Sequence, residues 1–167
     1  MPSTRCSPAP TQAVAEPAIA AGEAAHFRAL ESLYASAPIN AGFASRLAIT
    51  APGRARIDFE IEPRHFHAAG AAHGTFYFKM MDDAAFFACN SLVTDHFLLT
   101  TAFNLVFTRP LKAGRGHAEG AWLSGRRRVF VAETRIVDGD GREAGRATAT
   151  FMRSRIALSS LAGYRAP

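Results

Sequence analysis

The feature that most constrains this chain is a long run of residues, 74–92, that is apolar on almost every side. A helix with apolar side chains all round is buried on most of its surface. At 1.5 Å per residue, such a helix is about 28 Å long. A single apolar helix of this length needs a sheet around it to cover its surface.

The sequence also supplies the strands for such a sheet. Residues 54–62 alternate apolar and charged side chains, which predicts a strand with one buried face, and residues 43–50 are a suitable partner. Four further strand-like segments follow the helix, at residues 98–108, 116–124, 127–138 and 141–156. Turn signals between them, of which Asp138–Gly141 is the strongest, predict consecutive antiparallel hairpins. The predicted fold class is α+β: a curved antiparallel sheet wrapped around one central helix.

The two ends of the chain differ from this central part. Residues 1–22 are rich in Ala and Pro and have no periodicity, which predicts a flexible tail. Residues 23–37 have apolar side chains at helical spacing, so we expect an amphipathic helix there that ends before Pro38. We assign residues 38–156 to the folded domain and residues 157–167 to a C-terminal tail.

Charge and cysteine content exclude several classes of protein. The net charge is +5, with 17 Arg and 2 Lys, but no basic segment has the interleaved aromatic residues of a nucleic-acid site. No uncharged apolar run reaches the ~18 residues of a membrane span. The N-terminus lacks the apolar segment of a signal peptide. Two cysteines, Cys6 and Cys89, suit a reducing compartment, so we expect a cytoplasmic protein.

Two carboxylates interrupt the apolar run, although a buried carboxylate is costly unless it is paired or used in catalysis. Asp82 shares a helix face with Phe78 and Phe86, whereas Asp83 follows Lys79 by four residues, close enough for an ion pair. This difference favours Asp82 as a general base or nucleophile. The alternative is that Asp82 is held by an Arg or by backbone donors and has only a structural role.

Three motifs in order along the chain resemble one family. They are HGTFYFKMMDDAAFFACN (residues 73–90), FNLVFTRPLKAG (residues 103–114) and SGRRRVFVAETRIVDGDGREAGRATATF (residues 124–151). Together they resemble the PaaI-like acyl-CoA thioesterases, related to phenylacetyl-CoA thioesterase, which have the hotdog fold. The resemblance covers residues 38–156.

The resemblance implies an activity and roles for residues. In the family, a loop that ends in His-Gly-Gly opens the central helix, and a Leu-Ala-Asp sequence follows; here His73, Gly74 and Asp82 match. It therefore implies hydrolysis of an acyl-CoA without a metal or another cofactor, with the Gly74 N–H as oxyanion donor and Asp82 as base or nucleophile. The alternative is a non-catalytic hotdog module that binds an acyl-CoA or a protein partner.

The spacing of Gly74 and Asp82 bears on assembly. Eight residues of helix separate them by about 12 Å along the axis, so they do not reach the same carbonyl group. The resemblance implies that two subunits pair with their central helices side by side, and that each site combines one chain's Gly74 with the other's Asp82. We therefore expect a homodimer, or a dimer of dimers (homotetramer), with composite sites.

Several other residues are candidates with alternatives. His73 either contacts the thioester or anchors the loop, and His67 stands where the family often has Asn. Thr75 replaces the family's second Gly and joins the substrate-binding candidates, together with Asn104 on a later strand. Arg126, Arg127 and Arg128 either bind the phosphates of CoA or form a solvated basic turn. We expect no metal at the histidines His65, His67 and His73, and we expect Cys89 to be a packed core residue.

Overall fold

Two helices and six strands make up residues 21–165, the part of the chain that this computed structural model describes. The helices are α1 (Ala21–Ser36) and α2 (Gly74–Asn90). The strands are β1 (Ala44–Ala51), β2 (Arg54–Ile61), β3 (His96–Phe107), β4 (Gly114–Ser124), β5 (Val129–Asp138) and β6 (Glu143–Ala157). Each element begins and ends within about two residues of its prediction, which is the usual uncertainty of such boundaries.

The strands form one antiparallel sheet in the order β1-β2-β4-β5-β6-β3. The chain leaves β2, passes through α2 and enters β3 at the opposite edge of the sheet, and β4, β5 and β6 then fill the space between. The predicted α+β class is therefore confirmed. One expected hairpin is wrong: β3 does not pair with β4, because β4 pairs with β2 and β3 pairs with β6.

The core lies between α2 and the sheet. Ile57, Phe59 and Ile61 of β2 are buried as their alternation predicted, and Met80 and Met81 of α2 are fully buried. The helix approaches β4 so closely at Gly120 that a side-chain carbon there would overlap the backbone of Ala84. Glycine at this position therefore sets how deeply α2 sits on the sheet.

Two faces of α2 contact different elements. On one face Phe78 packs on Phe103 of β3, with ring centroids 4.9 Å apart, and Phe86 packs on Phe97, at 4.8 Å. On another face Phe87 packs edge-on against Tyr34 of α1, at 5.6 Å. Because Asp82 shares its face with Phe78 and Phe86, its side chain is directed towards β3.

Both termini of the described chain pack against the domain. Helix α1 begins at Ala21, inside the predicted tail 1–22; the rest of that tail, including Cys6, lies outside the described residues. Residues 157–165, which we assigned to a C-terminal tail, include Leu158, which is fully buried. Neither helix of the described chain has the length and apolar character needed to cross a membrane.

Candidate active site

The central carboxylate of the candidate site is Asp82, in the middle of α2. The hydroxyl group of Thr100, on β3, lies 3.0 Å and 3.2 Å from its two carboxylate oxygens and donates to the carboxylate. Burial raises the pKa of Asp82 to about 6, and the hydrogen bond from Thr100 opposes this rise. At neutral pH the group is ionised and is a stronger base than an ordinary aspartate. Neither an Arg nor a backbone donor holds it among the hydrogen bonds of the described chain, in contrast to the structural alternative.

The neighbouring carboxylate, Asp83, is occupied. The ammonium group of Lys79 contacts Asp83 and also donates to the side-chain oxygen of Asn40 at 2.6 Å. The same ammonium lies over the rings of Tyr34 and Phe43, at 5.2 Å and 5.5 Å from their centroids. Burial raises the pKa of Asp83, and the charge of Lys79 opposes the rise. The expected ion pair is present, and Lys79, which Asp83 holds in place, connects α2 to Asn40 in the segment that follows α1.

An apolar groove opens beside Asp82. It has a volume of about 460 Å³, within the range of roughly 300–1,000 Å³ that is usual for small-molecule sites. We call it the Asp82 groove. Asp82, Asp83, Lys79 and Thr100 supply its polar side chains near α2. Its apolar walls include Leu33, Phe86, Phe97, Leu98, Ile156 and Leu161.

The start of α2 has a different construction. His73 is the N-cap: its Nδ1 atom accepts a hydrogen bond from the Thr75 N–H at 3.2 Å and lies 3.0 Å from the Thr75 hydroxyl group. The backbone N–H of His73 donates to the carbonyl oxygen of His65 at 2.8 Å. These contacts support the loop-anchoring role for His73. Gly74 is the first helical residue, so its N–H has no carbonyl acceptor within the helix. This N–H lies at the positive end of the helix dipole.

A second cavity, of about 420 Å³, lies at this helix start. We call it the Gly74 cavity. It brings Gly74 together with His67, Tyr77 and Phe107. Phe107 is 56% exposed, and a side-chain carbon added to Gly74 would lie 3.1 Å from its ring. The absence of a side chain at Gly74 therefore leaves room for a carbonyl group to approach the helix start.

The two cavities are separate within one chain. None of the residues around the Gly74 cavity also lines the Asp82 groove. The separation agrees with the about 12 Å of helix between Gly74 and Asp82. The chain thus holds a carboxylate with an apolar groove at one place, and a helix start with a free hydrogen-bond donor at another.

The other predicted substrate-binding residues are not among the described residues that line either cavity. Phe103 contacts α2, so the next residue, Asn104, is directed to the other face of the sheet, opposite Thr148. Arg126–Arg128 form the exposed β4–β5 turn, where the Arg126 guanidinium lies 4.7 Å from the centre of the Trp122 ring. Thr75 is exposed beside His73.

The remaining titratable candidates have structural surroundings. Burial raises the pKa of the Cys89 thiol to about 12, so this thiol is not nucleophilic at neutral pH. His65 Nδ1 accepts a hydrogen bond from the Glu62 N–H at 3.0 Å. Within residues 21–165, no three His, Cys, Asp or Glu side chains come together as a possible metal cluster.

The sequence pattern missed two parts of this site. Thr100 was one of several polar residues on β3, and only the register of β3 against β6 shows that it is directed towards α2. The wall formed by Leu161, Ala162 and Gly163 was also missed, because those residues carry no periodicity that predicts burial.

Comparisons with known proteins relate this arrangement to one superfamily. Residues 69–145 match the model of the thioesterase superfamily. No curated protein sequence matches the chain at the level taken as significant. The matched residues include the start of α2, Asp82, the strands β3, β4 and β5, and the first residues of β6.

Solved structures support the same relationship. The Escherichia coli PaaI protein, from the phenylacetic acid degradation operon, has a TM-score of 0.74 at 17% identity, covering 81% of this chain and 97% of that one. A point mutant of the phenylacetic acid degradation protein PaaI from Thermus thermophilus has a TM-score of 0.64 at 25% identity, covering 71% and 100%. A thioesterase family protein from Silicibacter pomeroyi has a TM-score of 0.67 at 22% identity, covering 75% and 97%. The predicted hotdog fold and the predicted resemblance to PaaI-like proteins are therefore confirmed.

Proposed function

We propose that this chain, a hotdog protein of the thioesterase superfamily, hydrolyses an acyl-CoA to a free acid and CoA. The observation that carries the proposal is Asp82: an ionised carboxylate of raised pKa, held by one hydroxyl group, at the edge of an apolar groove. A thioester has the matching parts, an apolar acyl group next to a carbonyl carbon that a base-activated water attacks.

In the proposed reaction, Asp82 takes a proton from a water molecule as that water attacks the thioester carbonyl carbon. The carbonyl oxygen becomes an oxyanion, which the N–H group of Gly74 stabilises. The C–S bond then breaks, and the CoA sulfur leaves as a thiolate that takes up the proton held by Asp82, which restores the carboxylate. Direct attack by Asp82, followed by hydrolysis of the acyl-aspartate, is the other route open to the same carboxylate.

Two subunits are needed for this reaction, because Gly74 and Asp82 of one chain are too far apart. Strand β3 is at an edge of the sheet and has exposed apolar side chains, including Leu99, Val106 and Phe107. Phe78 of α2 is also 44% exposed. An exposed apolar edge strand is a surface suited to pairing with a second copy. We propose a homodimer that pairs along β3 and sets the Gly74 cavity of one subunit against the Asp82 groove of the other; two such dimers would form the homotetramer.

The Arg126–Arg128 turn stays a candidate for the CoA phosphates. The turn is followed by Val129 on β5, which pairs with Met152 on β6. Met152 in turn pairs with Leu99 on β3, and Leu99 precedes Thr100. The turn therefore lies at the end of the sheet where Thr100 holds Asp82. Arginine is well suited to phosphate because its guanidinium donates two parallel hydrogen bonds. Residues Cys6 and Cys89 suit a reducing cytoplasm, where acyl-CoA substrates would be met.

The test is release of free thiol from a panel of acyl-CoAs by the wild type, Asp82→Asn and Asp83→Asn. Asp82→Asn keeps the shape and removes the base, so we expect a loss in kcat of about 100-fold or more. Asp83→Asn is the comparison variant on the next residue: it breaks the ion pair with Lys79 and lowers stability, but it keeps Asp82, so we expect the folded protein to keep most of the activity. Full activity in Asp82→Asn would overturn the role of Asp82. No hydrolysis by the wild type would favour the non-catalytic binding module.

A further inference from the structure

The C-terminal residues form a wall of the Asp82 groove. Residues 158–164, here called the C-terminal strap, begin at Leu158, whose N–H donates to the carbonyl oxygen of Asp95 beside β3. They then pass Leu161, Ala162 and Gly163, which line the groove. The strap thus leaves the sheet, follows the groove and reaches α1.

The strap is fixed to α1 at two points. At Gly163, a side-chain carbon would displace the hydroxyl group of Ser36 and lie 3.3 Å from the Cα atom of Leu33, so the strap packs closely on α1 at this glycine. At Tyr164, the hydroxyl group lies 2.6 Å from Nδ1 of His26, and the two rings meet edge-on with centroids 5.8 Å apart. The strap is therefore held across the groove rather than lying loosely beside it.

His26 has a defined protonation state in this contact. Its Nε2 atom lies 3.1 Å from the carbonyl oxygen of Asn90, which only accepts hydrogen bonds, so Nε2–H is the donor. Burial lowers the pKa of His26, which keeps the ring neutral. Nδ1 of the neutral ring then accepts a hydrogen bond from the Tyr164 hydroxyl group. The strap is thereby connected through His26 to the end of α2.

The groove that the strap borders has a clear chemical preference. Its walls are mostly apolar, and Lys79, the one cation that lines it within residues 21–165, is already bound by Asp83 and Asn40. A carboxylate at the far end of an acyl group would meet Asp82 and Asp83 without a free cation. The groove therefore suits an uncharged apolar group and disfavours an acyl group that ends in a charge.

We propose that the C-terminal strap is a specificity-determining element: it limits the Asp82 groove to uncharged apolar acyl groups of restricted length, and the Tyr164–His26 hydrogen bond holds it in place. The assignment of the groove to the acyl group rests on the proposed function. His26 and Tyr164 are positioning residues, because they act on the acyl group through the strap.

The test measures binding rather than hydrolysis. A wrong proposal for the strap can therefore be told apart from a wrong proposal for acyl-CoA hydrolysis. CoA thioethers, which cannot be hydrolysed, are titrated calorimetrically with S-butyl, S-octyl, S-dodecyl and S-(7-carboxyheptyl) groups. We expect the wild type to bind S-octyl-CoA best and to bind the carboxylated thioether at least about tenfold more weakly, a free-energy difference of about 1.4 kcal/mol.

Two variants loosen the strap by different means. Tyr164→Phe removes only the hydroxyl group and keeps the ring, and a chain that ends at Ser160 removes the groove-lining part altogether. We expect S-dodecyl-CoA to gain about tenfold in affinity relative to S-butyl-CoA in the shortened chain, and a smaller gain in the same direction for Tyr164→Phe. Ser160→Ala is the matched control, because Ser160 is exposed and its hydroxyl group donates to the carbonyl oxygen of Ala157, three residues before it.

The outcomes separate the possibilities. A general loss of stability would weaken all four thioethers together and leave their ratios unchanged. An unchanged ratio of dodecyl to butyl affinity in the folded variants overturns the role of the strap, as does failure of the wild type to bind any thioether. Binding with the expected ratios, but no hydrolysis of any acyl-CoA, supports the strap and overturns the proposed function.

Discussion

The start of α2 and its middle turn differ in almost every property that matters for catalysis. The start offers a backbone N–H at Gly74 and a capping histidine, beside the exposed Phe107 on an edge strand. The middle offers Asp82, a side-chain carboxylate held by Thr100 above a largely apolar groove. In the proposed reaction, the start would stabilise negative charge and the middle would generate the nucleophile, and about 12 Å of helix separates them. The difference indicates that a single chain holds two halves of different sites.

The first prediction tests whether the two halves come from different chains. Gly74→Pro removes the N–H at the first helical position, where proline is well tolerated, and His73 already has the extended backbone that precedes proline. We expect a loss in kcat of about 100-fold or more. Gly74→Ala is the comparison variant: it keeps the N–H but adds a methyl group against the ring of Phe107 where the carbonyl approaches, so we expect a smaller loss than for Gly74→Pro.

Mixing Gly74→Pro with Asp82→Asn then separates the two arrangements. In a mixed dimer, one composite site has the intact Gly74 of one chain and the intact Asp82 of the other. Random reassociation of the two inactive proteins is expected to restore about a quarter of wild-type activity. If both groups acted within one chain, the mixture would stay inactive. That result would contradict a site that combines Gly74 of one chain with Asp82 of the other.

A second prediction concerns Asp83, the carboxylate beside Asp82 that we regard as structural. Lys79→Met leaves Asp83 buried without its cation, and the side chains of the pair are only 13% and 20% exposed. We expect the free energy of unfolding at pH 7 to fall by about 2–3 kcal/mol, as chemical denaturation would measure. The double variant Lys79→Met/Asp83→Leu removes both charges and should recover most of this loss. A double variant as unstable as Lys79→Met would show that the ion pair is not the cause.

A third prediction is that Asp82 itself reduces stability. The pKa of Asp82 is raised from 3.8 to about 6 in the folded chain, so folding favours the protonated form. The resulting cost is absent below the unfolded-state pKa, develops as the pH rises through about 6, and amounts to up to about 3 kcal/mol above it. We therefore expect Asp82→Asn to be more stable than the wild type at pH 8 and to lose this advantage at pH 4. Denaturation curves at the two pH values measure the difference, and a pH-independent difference would contradict the buried-carboxylate interpretation.

The smallest expected effect concerns Thr100. Its hydroxyl group lowers the pKa of Asp82, opposing the effect of burial. Thr100→Val keeps the shape and removes the donor, so the pKa of Asp82 should rise above about 6. We expect the acid limb of the pH profile of kcat/KM to move to higher pH, with only a few-fold loss of activity at pH 8. Thr101→Val is the control, because the Thr101 hydroxyl group donates to the Thr150 carbonyl and not to Asp82.

Much of the fold follows from patterns that are local in the sequence. The apolar run predicted α2, two-residue alternation predicted the strands, and the Asp138–Gly141 turn predicted the hairpin between β5 and β6. The four-residue spacing of Lys79 and Asp83 predicted their ion pair, and so distinguished the two carboxylates. Each of these features depends on residues within one element or one turn, where spacing along the chain determines which side chains meet.

The tertiary structure alone decided the contacts between residues distant in the chain. The pairing of β3 with β6 selected Thr100 as the partner of Asp82, and the approach of α2 to β4 required glycine at position 120. The strap, in which Tyr164 binds His26 across 138 positions of sequence, gave the groove a wall that no periodicity indicated. The sequence by itself determined which helix carries both carboxylates and which of the two pairs with Lys79. Only the folded chain determined what surrounds the other carboxylate, Asp82, because those neighbours are brought to it by the sheet.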